Sequence, residues 1–205
     1  MKTTRGILKG ILGLAFITML FSFKMLFSFD EPKGWFKAGS MPKSYDMGID
    51  KASGQDGKNA ATIKSIETNI NGFGTLMQNC LPDAFLGKRV RMSGMMRSKD
   101  VSDWAGFWFR VDQKSNVGSL AFDNLHDGKS DRSIKGTTAW TKYEIVLDVP
   151  LQATNLAYGA LLSGTGQIWF DHIKFEVVDN NVPTTGGSVE NMMPNASPVN
   201  LDFEN

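Results

Sequence analysis

The residues best suited to ligand chemistry lie in one short stretch, Ser102-Asp103-Trp104-Ala105-Gly106-Phe107-Trp108-Phe109-Arg110-Val111-Asp112. If this stretch is a β-strand, successive side chains point to opposite faces. One face is then uniformly apolar, with Ala105, Phe107, Phe109 and Val111, while the other carries Trp104, Trp108, Arg110 and Asp112. Indole rings stack on the apolar side of a sugar, and a guanidinium and a carboxylate bond its hydroxyls. The second face predicts a platform for a carbohydrate or a similar polar ligand.

A purely structural interpretation of these residues stays open. The second face can be an outer sheet surface covered by a loop, with Arg110 paired to Asp112 or stacked on Trp108. Gln78 and Arg97 lie on neighbouring predicted strands and are candidates to line the ligand face, although each also suits a solvated strand surface.

Asp123 and Asn124 lie where a predicted strand opens into a long polar loop, 124–138. Loops of this length in compact domains are often functional, so both residues are candidate ligand contacts. Asp and Asn are also common turn residues, which is the alternative interpretation.

Catalysis has little support in the sequence. Two histidines, His126 and His172, and one cysteine, Cys80, form no nucleophile–base–orienter pattern. Carboxylates are numerous, so a glycosidase pair such as Asp112 with Asp123 stays an alternative that only a measured separation and a cleft would support. We therefore predict that the chain is not an enzyme.

Composition excludes some other classes. Lys+Arg 22 against Asp+Glu 21 gives a net charge of +1, so no basic excess points to a nucleic-acid partner. A single cysteine cannot form an internal disulfide, and Cys80 is most simply a buried thiol, with a reactive thiol as the alternative.

Residues 1–26 have the pattern of a signal peptide or an N-terminal membrane anchor. Lys2, Arg5 and Lys9 precede an apolar run over residues 11–23, which is short for a membrane span and is not followed by a clear cleavage site. We expect an exported protein, whether extracellular, periplasmic or tethered to a membrane.

Residues 27–179 predict an all-β domain. Apolar and polar residues alternate in short segments separated by turns, with no convincing helix. The predicted strands cover 35–39, 45–50, 60–66, 73–79, 88–98, the opening stretch, 119–123, 140–149, 156–163 and 167–178. Val90, Met92 and Met96 share a face in the fifth of these, and Trp169, Ile173, Phe175 and Val177 share one in the last. This pattern predicts a two-sheet antiparallel β-sandwich, followed by a flexible linker over 180–199 and a strand-like tail over 200–205.

Several blocks carry a family resemblance: Gly34-Trp35-Phe36, Tyr45-x-Met47-Gly48-Ile49-Asp50, Gly72-Phe73-Gly74-Thr75-Leu76-Met77-Gln78, Trp104-Ala105-Gly106-x-Trp108 and Ile168-Trp169-Phe170-Asp171. In this order they resemble the β-sandwich domain attached to some AraC-type bacterial transcription regulators and some secreted bacterial hydrolases. More broadly they resemble carbohydrate-binding modules of the galactose-binding-like jelly-roll type. The chain lacks a helix-turn-helix region, so we expect no DNA binding by this polypeptide.

The resemblance implies further features. Jelly-roll modules often hold a structural Ca²⁺ between their first and last strands, and Asp30, Glu31 and Asp171 are the oxygen ligands that this would use; no other cofactor is expected. The implied function is non-catalytic binding of a carbohydrate. The alternative is an interaction or structural protein that pairs through a sheet edge or its C-terminal strand. The C-terminal Leu-Asp-Phe-Glu element is either the stub of a second module or a strand that pairs back on the sheet.

Overall fold

The structure, a computed structural model, describes residues 28–114, 118–127 and 130–188. This part of the chain is antiparallel β-structure with one short 3-10 turn at Pro42–Ser44. Its strands are β1 (Phe36–Gly39), β2 (Tyr45–Asp50), β3 (Ala60–Ser65), β4 (Phe73–Cys80), β5 (Lys88–Asp112), β6 (Ser119–Asp123), β7 (Ile134–Val149), β8 (Asn155–Ser163), β9 (Gln167–Val178) and β10 (Gly187–Ser188). The predicted all-β sandwich is confirmed, and the described residues include no helix long and apolar enough to cross a membrane.

Strand β5 belongs to both sheets of the sandwich. Its first half pairs with β7 and β9, and its second half pairs with β8 and β6. We call the first layer sheet I, with β7, β5, β9, β3 and β2 as neighbours. The second layer, sheet II, places β1, β4, β8, β5, β6 and β10 side by side. The hydrogen-bonded ladder is therefore continuous through β5, although the two halves of that strand serve different layers.

A backbone irregularity at Asp100 lets β5 change layers. Asp100 has φ of 52°, in the left-handed region that non-glycine residues rarely adopt. Before this point the even positions Val90, Met92 and Met96 are buried in the core, whereas after it the odd positions Phe107 and Phe109 are. The pairing register with β7 also shifts on either side of residue 100. The predicted core residues of both halves are confirmed, but one bent strand replaces the two predicted ones.

A second irregularity, at Asp171 and His172, reverses the alternation of β9. Ser93 pairs with Lys174 and Met95 with Asp171, so β9 has one residue more than β5 over this interval, and His172 has φ of 54°. This is a β-bulge. Ile168 and Phe170 consequently face the core before the bulge, whereas Ile173 and Phe175 contact it afterwards. The prediction that Trp169 and Val177 share the apolar side is wrong: Trp169 lies on the outer side, and Val177 is 52% exposed.

The segment after β9 is packed against the sandwich, so the predicted linker begins too early. Arg89 donates to the carbonyls of Asn180 and Val182 at 2.6 and 2.7 Å. Thr185 N donates to Val146 O at 2.9 Å, and Gly187–Ser188 pairs with β6. Residues 180–188 are thus held by hydrogen bonds, and β10 covers the edge of β6. Local composition does not reveal this packing. The predicted N-terminal segment 1–26, the rest of the linker and the tail 200–205 lie outside the described residues.

Candidate functional site

The solvent-facing side of sheet II, which we call the front face, carries four of the eight residues predicted to bind a ligand: Trp104, Trp108, Arg110 and Asp112. Directly paired residues of antiparallel strands point to the same side of a sheet. Trp108 is opposite Gly159, which is opposite Met77, so these positions form one row across β5, β8 and β4. Arg110 with Phe122 forms the next row on one side, whereas Trp104 with Ser163 lies two rows away on the other side, beyond Gly106 with Leu161. The front face therefore combines indole rings, apolar side chains and a charged border.

Trp108 forms the floor of the front face rather than an open platform. Its side chain is 6% exposed and clusters with Ala157 and Leu161, with Met77, Trp104 and Phe122 packed against the group. Its indole Nε1 donates to Thr75 Oγ1 at 2.8 Å. The expectation that Trp108 presents an exposed ring is wrong, because neighbouring strands supply apolar side chains on both sides of it. A ligand role for the face as a whole stays a prediction.

Trp104 is half-buried and stacks on the His126 ring, with centroids 4.6 Å apart and planes 20° from parallel. His126 comes from the loop after β6, and it lies 3.9 Å from an oxygen of Asp127 and 3.6 Å from one of Asp131. The loop thus covers part of the indole, as the structural alternative anticipated. The remaining exposed part of Trp104 faces the same side of the sheet as Arg110.

Arg110 and Asp112 pair along β5. Arg110 Nε and Nη2 donate to the two carboxylate oxygens of Asp112 at 2.8 and 3.1 Å. Asn155 Nδ2 on β8 donates to the same carboxylate at 3.0 Å. The pairing agrees with the structural alternative, and it also fixes a polar, partly exposed group at the border of the apolar floor. Such a fixed group can offer hydrogen bonds to a ligand at little further cost in side-chain entropy.

Gln78 and Arg97 do not line the front face. Gln78 pairs in register with Tyr158, which pairs with the core residue Phe109, so Gln78 points to the inner side of sheet II. It accepts a hydrogen bond from the Tyr158 hydroxyl and donates to Gly34 O at 3.0 Å. Arg97 lies on the outer side of sheet I, above Trp169. Both predictions are wrong because the register of distant strands and the bend at Asp100 decide which face a side chain occupies.

Asp123 and Asn124 form hydrogen bonds and an ion pair within the protein. Asp123 is fully buried, pairs with the Arg132 guanidinium and accepts from Leu125 N at 2.8 Å. Asn124 Oδ1 accepts from the backbone N–H groups of His126 and Asp127 at 3.0 and 2.6 Å. These side chains close the turn after β6, so the prediction that they contact a ligand directly is replaced by turn chemistry.

The acidic residues proposed to hold calcium do not converge. Asp30 pairs with Lys51 at 3.2 Å and bridges to Ile49 through the backbone, and Glu31 follows it on the exposed first segment. Asp171 instead lies near Asp56 and His172, and these three offer ligand atoms within 4.8 Å of one another. Among the described residues that is the group whose spacing fits one ion, so the ligand set Asp30, Glu31 and Asp171 is not supported.

The groups able to act as nucleophile or base are dispersed. Burial raises the pKa of the Cys80 thiol, which favours the unreactive protonated form. His126 stacks on Trp104, whereas His172 sits at the β9 bulge on the other sheet. Asp112 pairs with Arg110 and Asp123 pairs with Arg132, so each carboxylate is already matched to a cation. Among the described residues, these groups do not come together as a nucleophile and its base.

Sequence reasoning missed the apolar part of the front face. Met77, Leu161 and Phe122 each come from a different strand, and their burial around Trp108 depends on register. The one signal available was Gly159, a residue without a side chain in the mostly apolar run 156–162. Phe36, opposite Met77 at the end of the same row, is 40% exposed and extends the apolar surface to the edge of the sheet.

Comparison with known proteins supports the fold. No family model matches the chain. The uncharacterized HTH-type transcriptional regulator YbfP of Bacillus subtilis (strain 168) is 42% identical over 173 residues, which are 84% of this chain and 57% of the regulator. The chain therefore spans a little over half the length of that relative.

Two solved structures are similar. The CBM22-1 xylan-binding domain of a Paenibacillus barcinonensis protein has a TM-score of 0.50 at 15% identity, covering 74% of this chain and 90% of that domain. The CBM22-1 and GH10 modules of a Clostridium thermocellum endo-1,4-beta-D-xylanase, complexed with xylohexaose, give 0.49 at 12% identity, covering 71% and 26%. The chain has the galactose-binding-like β-sandwich fold of carbohydrate-binding modules, as the sequence resemblance implied.

Proposed function

We propose that this chain is a non-catalytic binding module that takes a carbohydrate or a similar polar ligand on its front face. The observation that carries the proposal is the half-buried ring of Trp104 beside a buried apolar floor, with the Arg110–Asp112–Asn155 group on the same side of the sheet. Sugar sites in proteins combine these two elements: a flat apolar surface and a few fixed polar groups. The fold is consistent with this role.

Each part of the front face would have a different task. The Trp104 ring and the surrounding apolar side chains would contact the C–H groups of a sugar ring. The Arg110–Asp112 pair, whose side chains are 44% and 21% exposed, would exchange hydrogen bonds with hydroxyl groups. Trp108 would keep the floor rigid through its bond to Thr75. This division predicts that Trp104 contributes affinity, whereas Trp108 contributes stability.

The test is calorimetric titration of the full chain with soluble glycans, beginning with xylan because the similar solved domain binds it. We expect Trp104→Ala to weaken binding by more than about tenfold, since truncating an aromatic hot spot costs about 2 kcal/mol or more. Trp140→Ala, which removes a half-buried tryptophan from the opposite sheet, is the matched control and should leave this affinity unchanged. Glycan binding that ignores Trp104→Ala, or no binding in a broad glycan set, would refute the proposal.

The proposal includes the absence of turnover and of any required cofactor. Chelation with EDTA should leave glycan affinity unchanged, and prolonged incubation should release no reducing ends. Measurable glycoside hydrolysis by purified protein, lost in Asp112→Asn, would instead favour the hydrolase alternative.

We also propose that the module acts outside the cytoplasm, supported by the basic and apolar pattern of residues 1–26. Cell fractionation with N-terminal sequencing of the product would show whether the protein is exported and where it is cleaved. Recovery of uncleaved protein in the membrane fraction would support a tether, whereas uncleaved protein in the cytoplasm would contradict export.

One observation favours the alternative of an interaction protein. Strand β10 lies against β6 at the edge of sheet II, so the C-terminal segment already acts as an added strand within the chain. The same pairing between two copies would join them through backbone hydrogen bonds. Oligomers that disappear on deleting residues 180–205 would support this alternative, and a monomer in both forms would exclude pairing between copies.

A further inference from the structure

A second groove lies on the outer side of sheet I, away from the front face. It has a volume of about 500 Å³ and is lined by the middle of β5, at the bend near Asp100, and by the first part of β7 and β9. Its lining includes Arg97, Lys99, Asp100, Thr137, Trp140 and Trp169. The volume is within the usual range of small-molecule sites. Its lining contains two tryptophans, two cations, one carboxylate and hydroxyl groups.

Arg97 lies between the two indoles of the groove. Its guanidinium carbon is 4.0 Å from the centroid of the Trp169 ring and 5.5 Å from that of Trp140. Trp169 is 8% exposed, while Trp140 and Arg97 remain half-buried. The order from inside to outside is therefore a buried indole, a guanidinium and a partly exposed indole. Such stacking holds the guanidinium plane in place without using its hydrogen-bond donors.

The N–H groups of Arg97 make few hydrogen bonds in the described part of the chain. Nε is buried without a partner, and Nη2 has a long contact of 3.4 Å with Ser53 O. No described carboxylate lies within 4.0 Å of Arg97, whereas Arg89 and Arg110 each pair with an aspartate at 2.7 and 2.8 Å. A partly desolvated cation without a counter-ion carries a free-energy cost that an anionic ligand would offset.

Two carboxylates that contact groove residues already accept hydrogen bonds from other groups. Asp100 Oδ1 is 3.3 Å from the Thr137 hydroxyl, and Asp50 Oδ2 accepts from Trp169 Nε1 at 2.7 Å. Lys99 is exposed and forms no ion pair within the described ranges. The groove therefore has two cations available to a ligand, next to an aromatic wall.

We propose that this groove binds an acidic saccharide, a sugar ring that carries a carboxylate. The ring would contact the exposed part of Trp140, and the carboxylate would accept from the guanidinium of Arg97, whose planar fork matches two carboxylate oxygens. Lys99 would add a second positive charge. This site does not rest on the front face, because the two surfaces lie on different sheets and share no residue.

The test is calorimetric titration of the full chain, at 0.15 M salt, with a trimer of α-1,4-linked galacturonic acid and with its methyl ester. The ester keeps the sugar rings and linkages but removes the negative charges. We expect the acid to bind at least about tenfold more tightly than the ester. Trp140→Ala and Arg97→Gln should each weaken acid binding by at least about tenfold, Arg97→Lys should weaken it less, and Trp104→Ala should leave it unchanged.

Four results would overturn the proposal: no binding of the acid trimer, equal affinity for acid and ester, binding that ignores Trp140→Ala, and full displacement by an equal concentration of inorganic phosphate. The last result would show a site for any anion. If Arg97→Gln does not fold, Trp140→Ala remains decisive, because it leaves the contact of Arg97 with Trp169 in place. If the acid trimer does not bind but Trp104-dependent glycan binding is intact, only the groove proposal fails. If the acid trimer binds but no Trp104-dependent glycan binding is found, only the front-face proposal fails.

Discussion

Trp108 and Thr75 are joined by a buried hydrogen bond, from the indole Nε1 to the threonine Oγ1 at 2.8 Å. The same hydroxyl donates to Ala160 O at 2.7 Å, so the bond connects β5, β4 and β8 beneath the front face. Trp108 is consequently a structural residue with a satisfied polar group, which explains how a tryptophan can be 6% exposed on the outer side of a sheet.

The first prediction concerns this bond. Thr75→Val leaves the indole N–H of Trp108 buried without an acceptor, which should lower the free energy of unfolding by about 1–3 kcal/mol. Urea denaturation measures the loss. Adding Trp108→Phe removes the orphaned donor, so the double variant should be more stable than the sum of the two single effects predicts. Strict additivity would show that the two groups do not interact.

The second prediction concerns Gly94, which stands opposite the β9 bulge. A Cβ at this position would lie 2.7 Å from the Phe107 ring and 3.3 Å from Ile173 Cγ1. Gly94→Ala should therefore destabilise the fold by about 1–3 kcal/mol, the usual cost of overpacking.

Gly187→Ala is the matched control for Gly94, because a Cβ there would meet no atom within 4 Å. Thermal denaturation should show a clear decrease for Gly94→Ala and little change for the control. Equal effects would mean that contact with Phe107 does not decide the cost of Gly94→Ala.

The third prediction concerns alkaline stability. Tyr45 donates to Gly164 O at 2.8 Å and to Gly72 O at 3.0 Å, and burial, together with the charge of Asp103, raises its pKa to about 12 from 10.0. The folded protein holds this proton more tightly than the unfolded chain does. The resulting stability is complete below pH 10 and should decline as pH rises through about 12.

Urea denaturation between pH 8 and 12 compares the wild type with Tyr45→Phe. The difference between the two proteins isolates Tyr45, because burial also raises the pKa values of Tyr143 and Tyr158. We expect the difference in unfolding free energy to shrink above pH 10. A difference that is constant with pH would contradict the role given to Tyr45.

The fourth prediction concerns the C-terminal edge. A chain ending at residue 179 loses the contacts of Arg89 with Asn180 and Val182, the Thr185 bonds and β10. A chain ending at 188 keeps these contacts and is the reference. The shorter chain should be less stable by about 1–3 kcal/mol, since a net hydrogen bond contributes about 1 kcal/mol. Equal urea midpoints would mean that residues 180–188 act as a linker after all.

Most strands could be predicted because alternation is a local property. The sheet face on which a side chain lies, relative to residues of strands far away in the sequence, could not be predicted. The apolar set Phe107, Phe109 and Val111 was predicted as core and is core, whereas the sequence-based expectations for Gln78 and Arg97 were wrong. Their faces depend on which residue of another strand each one meets, and no local pattern encodes that register. The bend at Asp100 and the bulge at His172 each move the alternation by one residue, without a glycine at either position to mark the change.

The sequence alone therefore determined that this chain forms an antiparallel sandwich with a tryptophan- and charge-bearing outer face, because period-two alternation and turn residues act over short distances. The tertiary structure decided that Trp108 is buried beneath the front face, whereas Trp104 stays partly exposed on it. It also decided that Arg110 pairs with Asp112 and that Arg97 lies between two indoles on the other sheet. Those outcomes required strands far apart in the chain to meet in one register, since burial and pairing belong to the assembled sheets rather than to any single segment.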